Sequence, residues 1–150
     1  MLKIKNVLQT KGAEVWSIYS DAAVYEALKI MADRNVGALL VIDDDELVGI
    51  FSERDYARKV VLRGTTSLDS SIKELPVKEL MTREVYTVGP DDTIEECMAL
   101  MAAARCRHMP VFKDDKLLGV VSIGDVVNSM ISQQKVKIRD LEKYIRGGYS

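Results

Sequence analysis

The chain has 150 residues, of which 47% are hydrophobic, and a formal net charge of −2. This length and composition predict a folded chain with a core, organised as one ordinary domain or two small units. The nearly balanced charge excludes a broadly basic surface for nucleic acid, and no run of 18 apolar residues offers a membrane span.

The N-terminus has no signal-peptide pattern, and two cysteines do not make a disulfide scaffold. We therefore expect a cytoplasmic protein that has neither nucleic acid nor a membrane as a partner.

The first predicted elements are a short strand and a helix. Trp16–Ile18 is the strand candidate. The helix follows from four apolar residues spaced i, i+3, i+4 and i+7, which share one helix face: Val24, Ala27, Leu28 and Met31. Ala23 stands where a capping residue is expected, so the start of this helix is predicted to lack a side-chain cap.

A hairpin and a second helix are predicted next. The apolar runs 38–42 and 47–51 flank the acidic turn 43–46, and this pattern is typical of a β-hairpin. The helix begins at Ser52 and is predicted to end near Gly64.

The same elements recur after a shift of 70 residues, which brings Val15 into register with Val85. A strand is predicted at Tyr86–Val88, and the helix after it has a capping box from Thr93 to Glu96. Identical pairs include Asp21/Asp91, Glu26/Glu96, Met31/Met101, Gly49/Gly119, Ser52/Ser122 and Asp55/Asp125. Since one βαββα copy is too small to cover its own sheet, we expect the two copies to pack together.

The predicted organisation is repeat 1 at 4–64, a linker at 65–76, repeat 2 at 77–135, and a C-terminal helix and tail at 136–150. Ile4–Leu8 is the N-terminal equivalent of Val77–Met81, which leads into the second copy. The tail is amphipathic and is interpreted as a lid on its own domain or as a dimer contact.

Each copy ends in a Gly-x-x-Ser-x-x-Asp motif, with Ser52 and Asp55 in the first and Ser122 and Asp125 in the second. One interpretation is a helix cap, in which Ser is the N-cap and the carboxylate lies near the positive end of the helix. The other is a ligand site, in which Asp accepts hydrogen bonds from ribose hydroxyls and the helix N-terminus meets phosphate. The two interpretations are compatible.

The paired motifs, the lead-in VKELMT at 77–82 and the sequence HMPV at 108–111 resemble a pair of CBS (cystathionine β-synthase) domains, the Bateman module. The resemblance covers about residues 4 to 135, and the arrangement is similar to stand-alone pairs of the signal-transduction type. It implies an α+β fold of tandem βαββα repeats packed as a pseudo-two-fold pair. It also implies an adenosine ligand, with AMP first and ATP, ADP, NAD or S-adenosylmethionine as alternatives, and a homodimer.

The two predicted sites differ in their cations. Arg107 and His108 can neutralise phosphate in one, whereas Gly37 and Ala38 occupy the matching positions in the other. The remaining candidates for ligand binding are Arg54 and Arg58 as phosphate partners, Trp16, Ser17, Ile18 and Thr87 around the base, and Leu39, Met109 and Pro110 on the middle strands.

The hypothesis is thus a regulatory nucleotide sensor in which the bound ligand alters a dimer or partner contact. The alternative is a structural dimerisation module in which the Ser-x-x-Asp pairs are only caps. An enzyme is not expected, because one histidine, no phosphate loop and no nucleophile paired with a base offer little chemistry. Cys97, Cys106 and His108 match no zinc pattern, so no metal is expected.

Overall fold

The computed structural model describes residues 1–62 and 74–147. Its helices and strands are, in chain order, α1 (Ile4–Lys11), β1 (Ser17–Ile18), α2 (Val24–Arg34), β2 (Ala38–Asp43), β3 (Glu46–Ser52), α3 (Glu53–Leu62), a 3₁₀ helix (Val77–Glu79), α4 (Ile94–Ala104), β4 (His108–Lys113), β5 (Lys116–Ser122) and α5 (Ile123–Gly147). The predicted α+β class and the repeated order of elements are confirmed. The predicted end of α3 near Gly64, and the linker up to residue 73, lie outside the described residues.

The chain forms two compact units, and each draws on a segment from the other repeat. The first unit is Glu14–Val85, and the second combines Met1–Ala13 with Tyr86–Ser150. This division differs from the predicted repeats, which placed residues 4–13 in repeat 1 and 77–85 in repeat 2. The physical reason is burial, because each lead-in segment inserts its apolar residues into the core of the other repeat.

In the first unit, three strands form one sheet in the order β1-β2-β3. β1 runs parallel to β2, and β2 pairs with β3 in antiparallel fashion with Ala38 opposite Ser52. Asp44 and Asp45, at the tip of this hairpin, both have positive φ, 49° and 63°. Two central residues with positive φ define the type I′ turn that matches strand twist, so the acidic turn predicted from the sequence is confirmed.

The core of the first unit combines sheet, helix and lead-in residues. Val24, Ala27 and Met31 of α2 are buried, as their spacing predicted. Val77, Leu80 and Met81 pack into the same core, although more than 20 residues separate them from β3. Backbone hydrogen bonds also hold the end of this segment. The N–H of Ile50 donates to the carbonyl of Thr82 at 2.9 Å, and the N–H of Thr82 donates to the carbonyl of Ile50 at 2.8 Å.

The second unit has the same plan but a smaller sheet, which contains β4 and β5 alone among the described strands. The strand predicted at Tyr86–Val88 is reduced to a single parallel bridge between Val88 and Val111. Pro110 explains the loss. In the first unit the backbone N–H of Leu40 donates to Trp16, and Pro110, at the matching position, has no N–H to donate.

Helix α1 closes the core of the second unit. Ile4 and Val7 are almost completely buried there with Met101, Met109 and Val121. Leu8 lies over Gly119, where a Cβ would come within 2.9 Å of its Cδ2, just as Met81 lies over Gly49 in the first unit. The segment Ile4–Leu8 therefore plays the structural part of Val77–Met81, as their resemblance predicted.

The helix starts differ as predicted. Thr93 Oγ1 accepts a hydrogen bond from the backbone N–H of Glu96 at 3.1 Å and caps α4. Ala23, at the corresponding start of α2, offers no side-chain bond.

Helix α5 runs for 25 residues without a break. The predicted boundary between residues 135 and 136 therefore falls inside one helix, because nothing in its sequence before Gly147 stops it. Its C-terminal half is exposed. Within the described residues, no helix combines the length and the apolar character that a membrane crossing requires.

Candidate functional site

The first Ser-x-x-Asp motif lies where β3 ends and α3 begins. Ser52 Oγ accepts a hydrogen bond from the backbone N–H of Asp55 at 3.0 Å, and Asp55 Oδ2 accepts one from the backbone N–H of Ser52 at 3.0 Å. These reciprocal bonds are a capping box. The N–H of Glu53 donates to the carbonyl of Gly37 at 3.0 Å, so β2 and the helix start are joined at this point.

Both carboxylate oxygens of Asp55 are engaged within the first unit. The second oxygen, Oδ1, accepts a hydrogen bond from Thr82 Oγ1 at 2.8 Å and lies 3.7 Å from Lys59 Nζ. Lys59 also donates to the carbonyl of Leu80 at 2.7 Å. The lead-in segment thus completes the surroundings of this aspartate, which is 15% exposed.

The second motif repeats the cap but replaces its outer partner. Asp125 Oδ2 accepts from the backbone N–H of Ser122 at 2.9 Å, and Ser122 Oγ accepts from that of Asp125 at 3.1 Å. Lys11 Nζ then donates to Asp125 Oδ2 at 2.6 Å and to the carbonyl of Val120 at 2.7 Å. In the first unit Thr82 makes the equivalent two bonds, to Asp55 and to Ile50, with its hydroxyl and its backbone N–H.

A lysine in place of a threonine changes the electrostatics of the second motif. Burial acts to raise the pKa of Asp125, but the hydrogen bonds from Lys11 and from Ser122 outweigh it and hold the pKa below its usual value. Asp125 is therefore ionised at neutral pH. No hydrogen bond from the described residues reaches its second oxygen, Oδ1, in contrast to Asp55.

A cavity of about 550 Å³ adjoins Asp125 within the second unit. It lies between α1 and α5 and combines apolar with polar side chains. Its lining residues are Met1, Leu2, Asn6, Val7, Thr10, Lys11, Asp125, Asn128, Ser129, Ser132, Gln133 and Val136. An ionised carboxylate and an ammonium group thus border a space large enough for a small organic molecule.

The predicted cations Arg107 and His108 belong to the same region of the second unit. Arg107 is exposed, and its carbonyl accepts the N–H of Ile123 at 2.8 Å. His108 begins β4 opposite Ser122. Burial, followed by the charge of Lys11, lowers the pKa of His108 despite the opposing effect of Asp125. The imidazole is therefore neutral at pH 7, and Lys11 and Arg107 carry the positive charge.

The other predicted ligand residues fall into three groups. The side chains of Ile18, Leu39 and Met109 lie in the two hydrophobic cores, so only their backbone groups are accessible. The exposed residues are Ser17, Arg58 and Thr87, and those of intermediate exposure are Trp16, Gly37, Ala38 and Arg54. Pro110 is buried within β4.

Trp16 has a specific partner. The guanidinium carbon of Arg34 lies 4.2 Å from the centre of the indole ring, a cation–π contact within the first unit. This contact covers one face of the ring.

Three residues that contact the motifs were missed by the sequence reasoning. Lys11 and Thr82 lie 114 and 27 residues from their aspartates, and no local pattern links them. Lys59 is four residues after Asp55, at the spacing of an ion pair on one helix face, and this signal was available in the sequence.

Neither cysteine has the character of a reactive thiolate. Burial raises the pKa of Cys97 to about 11, and burial also raises the pKa of Cys106. Both side chains are thiols at neutral pH.

The repeated βαββα units, each ending in the Ser-x-x-Asp cap, define a tandem-repeat protein of the CBS type. The CBS domain model matches residues 5–62 and 77–132, so the chain belongs to the CBS domain family.

Other proteins with CBS domains are similar in sequence and in structure. The chain is 39% identical to the CBS domain-containing protein CBSX3, mitochondrial, of Arabidopsis thaliana, over 97% of this chain and 73% of that protein. The structure of a putative signal-transduction protein with CBS domains from Burkholderia ambifaria MC40-6 is 44% identical and superimposes with a TM-score of 0.81, covering 88% of this chain and 96% of that one. The CBS domain pair of protein MJ0100, in complex with 5-methylthioadenosine and S-adenosyl-L-methionine, shares the fold at 23% identity with a TM-score of 0.70, covering 89% and 98%.

Proposed function

We propose that this chain is a regulatory module that binds an adenosine nucleotide, AMP in the first instance, and that the bound ligand alters a dimer or partner contact. The observation that carries the proposal is the ionised carboxylate of Asp125, whose Oδ1 accepts no hydrogen bond from the described residues and which borders a cavity of about 550 Å³. A ribose diol supplies two hydroxyl donors for such an oxygen.

Nearby cations support a phosphorylated ligand rather than a bare nucleoside. Lys11 lies in the cavity wall, and Arg107 is exposed beside the same motif, since its carbonyl accepts the N–H of Ile123. Because His108 is neutral at pH 7, these two carry the fixed positive charge toward phosphate, and His108 can donate a hydrogen bond from one ring nitrogen. The proposal involves binding without catalysis, in a cytoplasmic setting.

The two motifs are proposed to differ in affinity. Asp55 already accepts bonds at both oxygens, from Ser52 and from Thr82, so a ligand there must displace a partner. Asp125 can accept a ribose hydroxyl while it keeps its bonds to Ser122 and Lys11. The first site filled is therefore the one at Asp125.

Calorimetric titration of the full chain with AMP, ATP, NAD(H) and S-adenosylmethionine tests the proposal. We expect heat and a thermal shift with at least one ligand, and an Asp125→Ala variant that binds it about tenfold more weakly or worse, the loss of one charge-assisted hydrogen bond. Asp44→Ala, at an exposed hairpin tip, is the control and should bind normally. No heat with any ligand, or equal affinities of the two variants, would contradict the proposal.

A second function, a dimerisation module without a ligand, is favoured by the capping bonds. Both aspartates turn a carboxylate oxygen back onto the start of their own helix, as a purely structural motif would. Under this reading Asp125→Ala lowers stability and leaves all four titrations flat.

A further inference from the structure

Helix α5 carries apolar side chains along most of its length that its own unit leaves uncovered. Val127 is 36% exposed and Ile131 is 49% exposed, and the values rise to 56% at Ile138, 61% at Leu141 and 58% at Ile145. Exposed aliphatic residues in such a row on one helix indicate an interaction surface rather than scattered surface residues.

Their spacing is that of a coiled coil. Steps of four and three residues alternate along the helix, so these positions are the a and d sites of a heptad repeat. We call this row the heptad seam; it consists of Val127, Ile131, Gln134, Ile138, Leu141 and Ile145. It spans about 27 Å at the usual helical rise. The aliphatic row along the a and d sites is narrower than the apolar face of a helix that lies on a membrane, and the exposed Val136 and Tyr144 lie outside it.

Other faces of the same helix are anchored in the second unit. Val126 is fully buried in the core, and Met130 packs against that core. The folded unit therefore starts the helix and fixes its orientation, and the exposed half extends it without a separate nucleation cost. Because the helix is already formed, a short seam is sufficient for association, whereas an isolated peptide of the same length would be only marginally helical.

We propose that the occupant of the seam is a second copy of this chain, and that two α5 helices form a parallel two-stranded coiled coil. The β-branched residues Ile131, Ile138 and Ile145 occupy the a sites and Leu141 a d site, the combination that favours parallel dimers. Gln134 interrupts the seam at one d site. This inference does not depend on nucleotide binding.

The charges beside the seam are complementary in this arrangement. Lys137 is a g site and Glu142 the following e site, and in a parallel dimer each g residue faces the e residue five positions later in the other helix. Two Lys137–Glu142 pairs then form by symmetry. In an antiparallel pair Glu142 faces Lys135 instead, and Lys137 faces the uncharged Tyr144.

Sedimentation of the full chain over a concentration series tests the seam. We expect a dimer for the natural chain and at least a tenfold larger dissociation constant for the double variant Ile138→Lys, Leu141→Lys. Val136→Lys is the matched control, because Val136 is equally exposed at 52% on the same helix but outside the seam. A monomeric natural chain, a mass above that of a dimer, or a double variant that sediments like the control overturns the proposal.

Charge reversal tests the parallel orientation. Lys137→Glu and Glu142→Lys should each weaken the dimer, whereas their equimolar mixture should restore it, because both pairs are attractive in the mixed dimer. A dimer weakened by Glu142→Lys but unaffected by Lys137→Glu would instead show antiparallel helices and overturn the parallel arrangement.

The same protein preparation also tests a membrane surface as the alternative occupant of the seam. Binding of the natural chain to vesicles of phosphatidylcholine and phosphatidylserine, without dimers in solution, would overturn the proposal.

Discussion

Lys11 is the residue that makes the two motifs chemically different. Its ammonium group makes the two hydrogen bonds, to Asp125 and to the carbonyl of Val120, that Thr82 makes in the other unit with a hydroxyl and a backbone N–H. Each aspartate has a lysine near it, but Lys59 stands 3.7 Å from Asp55, whereas Lys11 is hydrogen-bonded to Asp125 at 2.6 Å, so the positive charge is placed differently in the two repeats. Anionic ligands therefore meet different fields at the two motifs.

Removing that charge should lower stability in a pH-dependent way. Lys11→Met is expected to reduce the free energy of unfolding by about 1 kcal/mol at pH 7, because the ion pair is only partly shielded from solvent, with 31% and 24% exposure of its side chains. The depressed pKa of Asp125 contributes stability above the unfolded-state value of 3.8, and this contribution is lost as pH falls through the folded-state pKa. Urea denaturation should therefore show that the difference in the free energy of unfolding between the variant and the natural chain shrinks below that pH.

Lys5→Met is the matched control on the same helix. Lys5 pairs with Asp91 at 3.3 Å, but the two side chains are 50% and 67% exposed, and solvent screens such a pair. We expect no measurable change. Equal losses of stability in the two variants, or a loss in Lys11→Met that does not vary with pH, would show that Lys11 does not stabilise the ionised carboxylate of Asp125.

For single residues, the sequence predicts contacts between side chains that are close together along the chain. The capping bonds of Ser52 and Asp55 link residues three apart, and their residue types alone indicated them. Lys11 and Thr82 could not be predicted in the same way, since only the folded chain brings them to the aspartates.

Among the elements, the strands β3 and β5 are each crossed by a lead-in segment at a glycine. A Cβ on Gly49 would lie 2.7 Å from Met81 Sδ and 2.9 Å from the carbonyl oxygen of Thr82, whereas one on Gly119 would meet Leu8 Cδ2 at 2.9 Å. The first glycine faces the backbone of Thr82, which two hydrogen bonds to Ile50 hold in place. The second faces the end of a side chain that can rotate.

Alanine at these glycines should therefore have unequal costs. We expect Gly49→Ala to lower the free energy of unfolding by about 2 kcal/mol and Gly119→Ala by about 1 kcal/mol or less, the range for overpacking. Denaturation followed by circular dichroism measures both. Gly124→Ala, where the nearest contact is 3.6 Å, should not destabilise. A larger loss at Gly119 than at Gly49 would contradict the fixed-backbone argument.

The elements themselves were largely predictable, because heptad-like and alternating spacings are local signals. The burial of Val24, Ala27 and Met31 followed from their spacing, and the missing cap at Ala23 followed from its residue type. The strand at Tyr86–Val88 was overestimated since its pairing depends on an N–H that Pro110 lacks, and this partner is more than 20 residues away. The unbroken α5 was divided in the prediction because the repeat ended before the helix did.

For the whole molecule, the main finding is that each lead-in segment completes the unit of the other repeat. Ile4 is fully buried in the second unit and Leu80 in the first. The sequence showed that the two segments are equivalent but not which core each enters, because the repeat pattern is the same for either choice.

Amide hydrogen exchange should show that each lead-in segment stabilises the unit of the other repeat. Ile4→Ala is expected to cost about 2–5 kcal/mol, and to accelerate amide exchange mainly in β4 and β5, which lie about 100 residues away along the chain. Leu80→Ala should instead accelerate amide exchange mainly in β2 and β3. Each variant is the control for the other. Faster exchange in β2 and β3 on changing Ile4 would contradict the assignment of α1 to the second unit.

The position of α1 also sets an order of events during synthesis. The first unit is complete once residue 85 has left the ribosome, but α1, made before any of it, has to wait for β4, β5 and the start of α5. At about 5–20 residues per second that delay is roughly 6 to 23 s. Through this interval the apolar side chains of α1 remain without a core, so the newborn chain offers chaperones a binding segment that the finished protein conceals.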